Sequence, residues 1–291
     1  MRFIQVEITN RCNLSCPYCS RKVNPPPLRN MTVAEFDRVL SQLQPYKEPP
    51  LCLCGLGEPL LNPWFPEMLD NPKLKNFKLK LITNGVLLTS ENITTLQKKD
   101  VFSQIQVSLQ TTTPETYRKL QVGGDFHQVV KNTKNLIANK PSKATIIIQH
   151  LKTRINQNES KKDFSTLLDA PFNKSDVVFK EHIVGPVGGM AQPYSYSHLV
   201  FNRPHKRACD GVFGKDLIIN VYGDLLGCCW DNRRLQSYGN IFSEDLVDIK
   251  RGEKLRKMRG CLRDAEFTTL PLCEQCYEVM NSYQCYSSHR P

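Results

Sequence analysis

At 291 residues, 40% of them hydrophobic, the chain is long enough to build one large core and a small appended unit. Its low mean hydropathy and lack of a long apolar run exclude a transmembrane helix, and its start, Met1-Arg2-Phe3-Ile4-Gln5, lacks the apolar stretch of a secretory signal, so a cytoplasmic location is expected. The formal charge of +11 favours an acidic partner, but the lysines are scattered and no RNA-binding module is recognisable, so nucleic acid is not expected.

The first strand-like segment, Phe3 to Ile8, runs into Arg11-Cys12-Asn13-Leu14-Ser15-Cys16-Pro17-Tyr18-Cys19. Three thiolates in one short loop are one too few for a closed site. A four-iron cluster takes one cysteine per iron, so three protein ligands leave one iron open to an outside molecule. A zinc knuckle would need a nearby fourth Cys or His, and none lies within thirty residues after Cys19. Reducing cytosol disfavours a disulfide framework.

A helix follows, with Thr32 as N-cap and Glu35 completing a capping box. Met31, Val33, Phe36, Val39, Leu40 and Leu43 supply its apolar face, and Pro45 ends it. Leu51 to Cys54 alternates like a strand and enters Gly55-Leu56-Gly57-Glu58-Pro59, where the glycines permit close backbone approach to a ligand; Cys52 and Cys54 read as small buried side chains. Phe77 to Ile82 is a third strand ending in the turn Thr83-Asn84-Gly85. A fourth, Phe102 to Leu109, ends in Ser108-Leu109-Gln110, after which Thr113-Pro114-Glu115 opens a helix with Tyr117 and Leu120 inside.

The fifth strand, Ala144 to His150, carries the apolar run Ile146 to Ile148, suited to a parallel sheet covered on both faces. The polar stretch Asn156 to Lys162 reads as a solvated connection, and a sixth strand is expected at Val177 to Val184. His150, Glu181 and His182 fall near strand ends, although no catalytic acid or base can be assigned. Alternating strand and helix signals give an α/β fold of parallel units, whose strand C-termini are where such sheets place ligands.

The C-terminal third holds seven of the twelve cysteines. After Cys209, the stretch Leu217 to Cys229 reads as a hairpin with a Tyr-Gly-Asp turn, and Cys273-Glu274-Gln275-Cys276 comes later. A C-x2-C pair facing another pair held by a hairpin signals a four-thiolate metal site, for either zinc or an iron-sulfur cluster. In an extended segment Cys229 points away from Cys228, so only one of the two reaches such a site.

These motifs resemble the radical S-adenosylmethionine (SAM) superfamily: C-x3-C-x2-C with Tyr18 before the last cysteine, a GGE-type motif, and a T-N-G turn after the third strand. The resemblance implies a partial (β/α)6 TIM-like barrel over 1–195, with a small β-hairpin plus helix cluster-binding extension over 196–291. It implies that Cys12, Cys16 and Cys19 hold a 4Fe-4S cluster whose open iron binds SAM, and that an electron from the cluster releases a 5′-deoxyadenosyl radical. SAM contacts are then expected at Tyr18, Gly55, Gly57, Glu58, Pro59, Thr83, Asn84, Ser108 and Gln110. The order Cys209, Gly223, Cys228, a helix and a C-x2-C pair is similar to the SPASM and shorter twitch extensions, which carry auxiliary 4Fe-4S clusters. Eight residues separate Cys276 from Cys285, unlike the full SPASM pattern. One auxiliary cluster is therefore expected, on Cys209, Cys228, Cys273 and Cys276, leaving Cys229, Cys261 and Cys285 spare.

Relatives with auxiliary clusters act on ribosomally made precursor peptides or on small polyols. The expected function is hydrogen abstraction from a precursor peptide, ending in crosslinking, splicing or epimerisation. A separate leader-binding protein would present the peptide, and flavodoxin or ferredoxin would supply electrons. The alternatives are a dehydrogenase of a small polyol or aminocyclitol and, in another class, a non-catalytic zinc binding protein.

Overall fold

The alternating signals resolve, in a computed structural model that describes residues 3–22, 25–173, 175–183, 216–229, 231, 234–264 and 266–272, into one sheet backed by helices. Among the described residues the strands are β1 (Ile4–Val6), β2 (Leu51–Leu53), β3 (Leu79–Thr83), β4 (Phe102–Ser108), β5 (Thr145–Lys152), β6 (Val177–Ile183), β7 (Leu217–Ile219), β8 (Asp224–Leu226) and β9 (Ser237–Asn240). The helices are α1 (Val33–Leu43), α2 (Phe65–Met68), α3 (Ser90–Lys99), α4 (Pro114–Leu120), α5 (Phe126–Ala138), α6 (Lys161–Leu168), α7 (Leu246–Arg251) and α8 (Glu253–Arg263). Strand order is β6-β5-β4-β3-β2-β1-β7-β8-β9. Pairing is parallel from β6 through β7, and β8 and β9 then add antiparallel.

The arrangement is the expected partial α/β barrel. Its hairpin is not detached: β7 pairs directly with β1, Ile4 opposite Leu217 and Val6 opposite Ile219. The turn between β7 and β8 is built by Asn220, whose side-chain oxygen accepts from the backbone N–H groups of Tyr222 and Asp224, each at 2.9 Å. Gly223 supplies the left-handed conformation there, φ +84°, that other residues rarely adopt. The domain boundary expected near residue 195 lies outside the described residues.

Period-two alternation splits the strands into two faces. Leu79, Leu81, Ile105, Val107, Ile146 and Ile148 pack into the main core with Phe36 and Leu40 of α1, Val129 of α5 and Phe164 of α6. The opposite, inner face carries Gln5, Cys52, Lys80 and Gln104 in register across β1 to β4.

The capping box of α1 forms as expected. Thr32 Oγ1 accepts from Glu35 N at 3.3 Å, and Glu35 accepts from Thr32 N at 2.9 Å. Thr32→Ala is expected to destabilise the chain by about 1 kcal/mol, read as a lowered denaturation midpoint at unchanged slope.

The expected solvated connection over residues 156–162 is exposed at 157, 158 and 160–162, but its first residue departs from it. Asn156 is buried, and its amide donates to the carbonyls of Gln110 at 2.6 Å and Leu151 at 3.0 Å. Glu159 accepts from Thr111 and from Thr112, and Ser160 with Asp163 forms a second capping box that starts α6. Within this largely exposed connection, Asn156 and Glu159 form a side-chain clamp on the loop after β4.

Candidate active site

The cysteine loop leaves the C-terminal end of β1 and is tied down by neighbouring backbone. Cys12, Cys16 and Cys19 are each half-buried, with Cys19 N donating to Cys16 O at 3.1 Å. Leu14 N donates to the Cys12 sulfur at 3.5 Å, and Asn84 Nδ2 lies 3.8 Å from the same sulfur. Burial pushes the Cys16 thiol up to about 12, opposed by a hydrogen bond from Tyr18 and reinforced by the charges of Cys19 and Cys12. Burial likewise raises Cys12. Tyr18, expected against the cofactor, is thus engaged with Cys16. Among the described residues no three His, Cys, Asp or Glu side chains are drawn together as a metal site, the three cysteines of the loop included. The donor set itself, three sulfurs on one loop with two N–H donors at the Cys12 sulfur, fits an iron-sulfur cluster and no harder metal.

The motif after β2 serves this loop in a way the sequence did not reveal. A Cβ at Gly57 would lie 2.1 Å from the carbonyl oxygen of Thr9 and 2.7 Å from that of Arg11, and Glu58 N donates to Arg11 O at 2.8 Å. Gly57 is therefore required where backbone meets backbone. A Cβ at Gly55 would meet the Glu7 side chain at 2.6 Å. Pro59 is buried in the short turn Pro59–Leu61 that Glu58 caps.

Glu58, 2% exposed, accepts from Leu60 N at 3.2 Å, Thr83 Oγ1 at 2.9 Å and Asn84 N at 2.7 Å. Each carboxylate oxygen accepts at least one of these bonds, so the side chain braces the T-N-G turn. A buried acid without such partners would be costly. Thr83 is buried in the same brace, whereas Asn84 reaches across to Asn13 Oδ1 at 2.8 Å, beside Cys12.

Ser108 stands half-buried on the inner face, in register with Gln149. Gln110 is 4% exposed. Its side-chain oxygen accepts from Leu151 N at 2.5 Å, and its own N–H donates to Gln121, so it too braces a loop. His150 is fully buried on the helix side against Phe164 and Phe179, its Nδ1 3.4 Å from Glu181. That position removes His150 from the inner face, while His182 shares the inner side with Lys180. Cys228 is buried after β8, with Cys229 hydrogen-bonded to it; Cys209, Cys273, Cys276 and Cys285 lie outside the described residues.

The residue missed from the sequence is Glu7. Its carboxylate accepts from Leu56 N at 2.6 Å and Val221 N at 3.1 Å, joining the loop after β2 to the β7–β8 hairpin. It also lines a recess with Gln5, Asn220, Tyr222, Cys229 and Arg234. The signal was available: an acid one residue past an apolar β1, at the strand end where ligands gather. Burial, against two backbone hydrogen bonds, raises its carboxyl to about 7. The folded chain then holds a proton that the unfolded chain releases above 4.5, so stability declines as pH rises from 4.5 to 7. Glu7→Gln is expected to flatten that decline by up to about 1.4 kcal/mol per pH unit, measured by denaturation of the metal-free chain at several pH values.

The model of the Radical SAM superfamily matches residues 6–154, just over half of the chain. The chain belongs to the radical SAM superfamily. A second model, of the SPASM iron-sulfur cluster-binding domain, matches residues 209–277. This radical SAM chain is accordingly an enzyme that uses a 4Fe-4S cluster and SAM, with further iron-sulfur binding in its SPASM region, and the non-catalytic zinc reading is overturned. A probable GTP 3′,8-cyclase of Methanocaldococcus jannaschii is 34% identical over 139 residues, 47% of this chain and 46% of that one. The chain thus spans about half the length of the cyclase it matches. In structure, SuiB of Streptococcus suis bound to precursor peptide SuiA aligns with TM-score 0.70 at 16% identity, over 94% of this chain and 70% of SuiB. BtrN in complex with AdoMet and 2-DOIA aligns with TM-score 0.60 at 19% identity, over 95% and 92% of the two chains. These likenesses carry the fold. Among the described residues no helix is long and apolar enough to cross a membrane.

Proposed function

We propose that this radical SAM enzyme modifies a ribosomally made precursor peptide by abstracting hydrogen from it. The observation that carries the reading is the amide-lined inner face of the sheet. Gln5, Gln104, Gln106 and Gln149 stand half-buried there, Gln106 donating to Gln149, and the Gln104 side-chain oxygen is buried with no partner among the described residues. Such groups match the alternating donors and acceptors of a peptide backbone, and a buried acceptor left unpaired is costly until something donates to it. SuiB, with which the chain shares its fold, was crystallised with its precursor peptide.

In this reading Cys12, Cys16 and Cys19 hold the SAM-binding cluster, and Cys209, Cys228, Cys273 and Cys276 the auxiliary one. Bound together, the first cluster and SAM supply a carbon-centred radical that can take hydrogen from an unactivated C–H bond. The chain's own part is positional. Glu58 fixes the turn that carries Asn84 beside the cysteine loop, and Glu7 fixes the hairpin leading to Cys228. Flavodoxin or ferredoxin would supply the electron, and a separate leader-binding protein would present the peptide.

The second reading, a small-polyol or aminocyclitol dehydrogenase, is favoured by the nearly end-to-end match with BtrN. The test is deuterium transfer into 5′-deoxyadenosine by the anaerobically reconstituted enzyme with SAM and dithionite. Transfer from deuterated peptides encoded beside its gene supports peptide modification. Transfer only from a deuterated cyclitol, or only from deuterated GTP, overturns it.

A further inference from the structure

Two thiols at β2 stand together on the inner face, outside the cysteines assigned to either cluster. Leu51 and Leu53 pack into the main core, so Cys52 between them points the other way, level with Gln5 of β1 and Lys80 of β3. Cys54 follows one residue after β2, but its N–H still donates to the Val6 carbonyl at 3.3 Å, so the backbone stays in the sheet through this position. Two residues apart in extended backbone, Cys52 and Cys54 share a face, and their side chains are hydrogen-bonded to each other.

The spacing decides what such a pair can do. Alternate residues of a strand have Cα atoms about 6.7 Å apart, just inside the limit of about 6.8 Å that a disulfide spans. A bond between the two sulfurs can therefore close, but near the edge of its geometry, and bonds so placed are the readily reduced ones. The two thiols are also unequal. The hydrogen bond with Cys54 lowers the Cys52 thiol and, against burial, the Lys80 ammonium lowers it further, whereas the same hydrogen bond and burial raise Cys54. Cys52 is thus favoured as the attacking thiolate, with Cys54 held as a thiol until the first sulfur has reacted.

We infer that Cys52 and Cys54 form a redox-active dithiol on the inner face of the barrel that exchanges with low-molecular-weight disulfides. The Cys52 thiolate attacks one sulfur of the incoming disulfide, which releases a first thiolate and leaves a mixed disulfide at Cys52. Cys54 then gives its proton to solvent and attacks the Cys52 sulfur, closing the bond between the two cysteines and releasing a second thiolate. Two protein thiols are oxidised and one disulfide is reduced to two thiols. A pair of this kind suits a reducing compartment, where the disulfides that do form are the transient ones.

The test is anaerobic incubation of the cluster-loaded full chain with glutathione disulfide, followed by acid quenching, alkylation of the remaining thiols and mass mapping. Trypsin releases residues 48–73 as one peptide that holds Cys52, Cys54 and no other cysteine, so loss of iron from either cluster does not alter the reading. The expected product is this peptide, unalkylated and lighter by two hydrogens, formed about ten-fold faster than glutathione attaches to the buried thiol of Cys261. Dithiothreitol is expected to restore both thiols. In Cys54→Ser the reaction is expected to stop with glutathione on Cys52, and in Cys52→Ser the rate at Cys54 is expected to fall to that of Cys261. A peptide that keeps both thiols, a glutathione adduct that persists in the unsubstituted chain, or a cross-link from either cysteine to Cys229 would overturn the assignment. Because exchange is read without SAM or turnover, failure of the peptide reading in the deuterium experiment leaves this result standing.

Discussion

Gly57→Ala is expected to lower stability by about 3 kcal/mol, the upper end of the usual cost of overpacking, and to empty the cysteine loop of iron. The added methyl would sit 2.1 Å from the Thr9 carbonyl oxygen and 2.7 Å from that of Arg11. Neither atom can rotate aside as a side chain would. Both belong to the segment that carries the chain from β1 to Cys12, so relieving the clash moves the loop itself. Iron per chain after reconstitution should fall toward the content of the auxiliary site alone, and 5′-deoxyadenosine formation should fall with it. Gly260→Ala is the control. A Cβ there meets nothing within 4 Å inside α8, and the exchange should stabilise by about 0.5–1 kcal/mol through helix propensity. A Gly57→Ala chain with an unchanged denaturation midpoint and full iron would show that the loop yields cheaply, returning Gly57 to a role in ligand approach.

Much of this architecture was legible because the carrying signals are local. The Thr32–Glu35 capping box, the alternation Leu79-Lys80-Leu81-Ile82 and the run Ile146 to Ile148 each depend on neighbours within a few residues, and each forms as read. Three cysteines at fixed spacing, followed by successive polar strand ends, carried the family. What escaped was which polar group would turn to protein and which to ligand. Glu58 and Gln110 sit where ligand contacts were expected, yet Leu60, Thr83 and Asn84 consume the first and Leu151 the second. Those partners are brought together only when the strands pair. Glu7 escaped for the same reason, since the N–H of Val221 that it holds is 214 residues away. Asn156 was read as solvated because polarity in a short segment marks exposure on average, and a buried clamp on another loop has the same composition.

The two buried acids give the barrel mouth a common design. Glu7 ties the loop after β2 to the hairpin, and Glu58 ties that loop to the turn after β3. The loop is therefore held from both sides by carboxylates, with backbone N–H groups as the principal donors. This leaves Asn84, with its side chain 3.8 Å from Cys12 sulfur, as the polar group of the turn closest to the cluster loop.

Glu58→Ala is expected to be the most damaging single change in that frame, at about 3 kcal/mol or more, because a buried acceptor is removed from three donors that water cannot easily reach. Glu58→Gln keeps one oxygen and turns an NH2 toward a donor, so its cost should be lower, about 1–3 kcal/mol at acid pH. The pH dependence separates this brace from simple packing. Burial raises the Glu58 carboxyl to about 7, against the lowering effect of its three hydrogen bonds. The native state therefore binds a proton between 4.5 and 7 that the unfolded chain has released, and the wild-type stability due to this group is present below 4.5 and lost as pH rises through 7. The loss amounts to on the order of 3 kcal/mol across the window. Glutamine does not titrate, so the gap between wild type and Glu58→Gln should be widest near pH 5 and should narrow by pH 8. Denaturation midpoints of the metal-free chains at the two pH values measure it. A gap that stayed constant between the two pH values would mean that the three donors hold Glu58 ionised throughout, placing a permanent negative charge beside the cysteine loop.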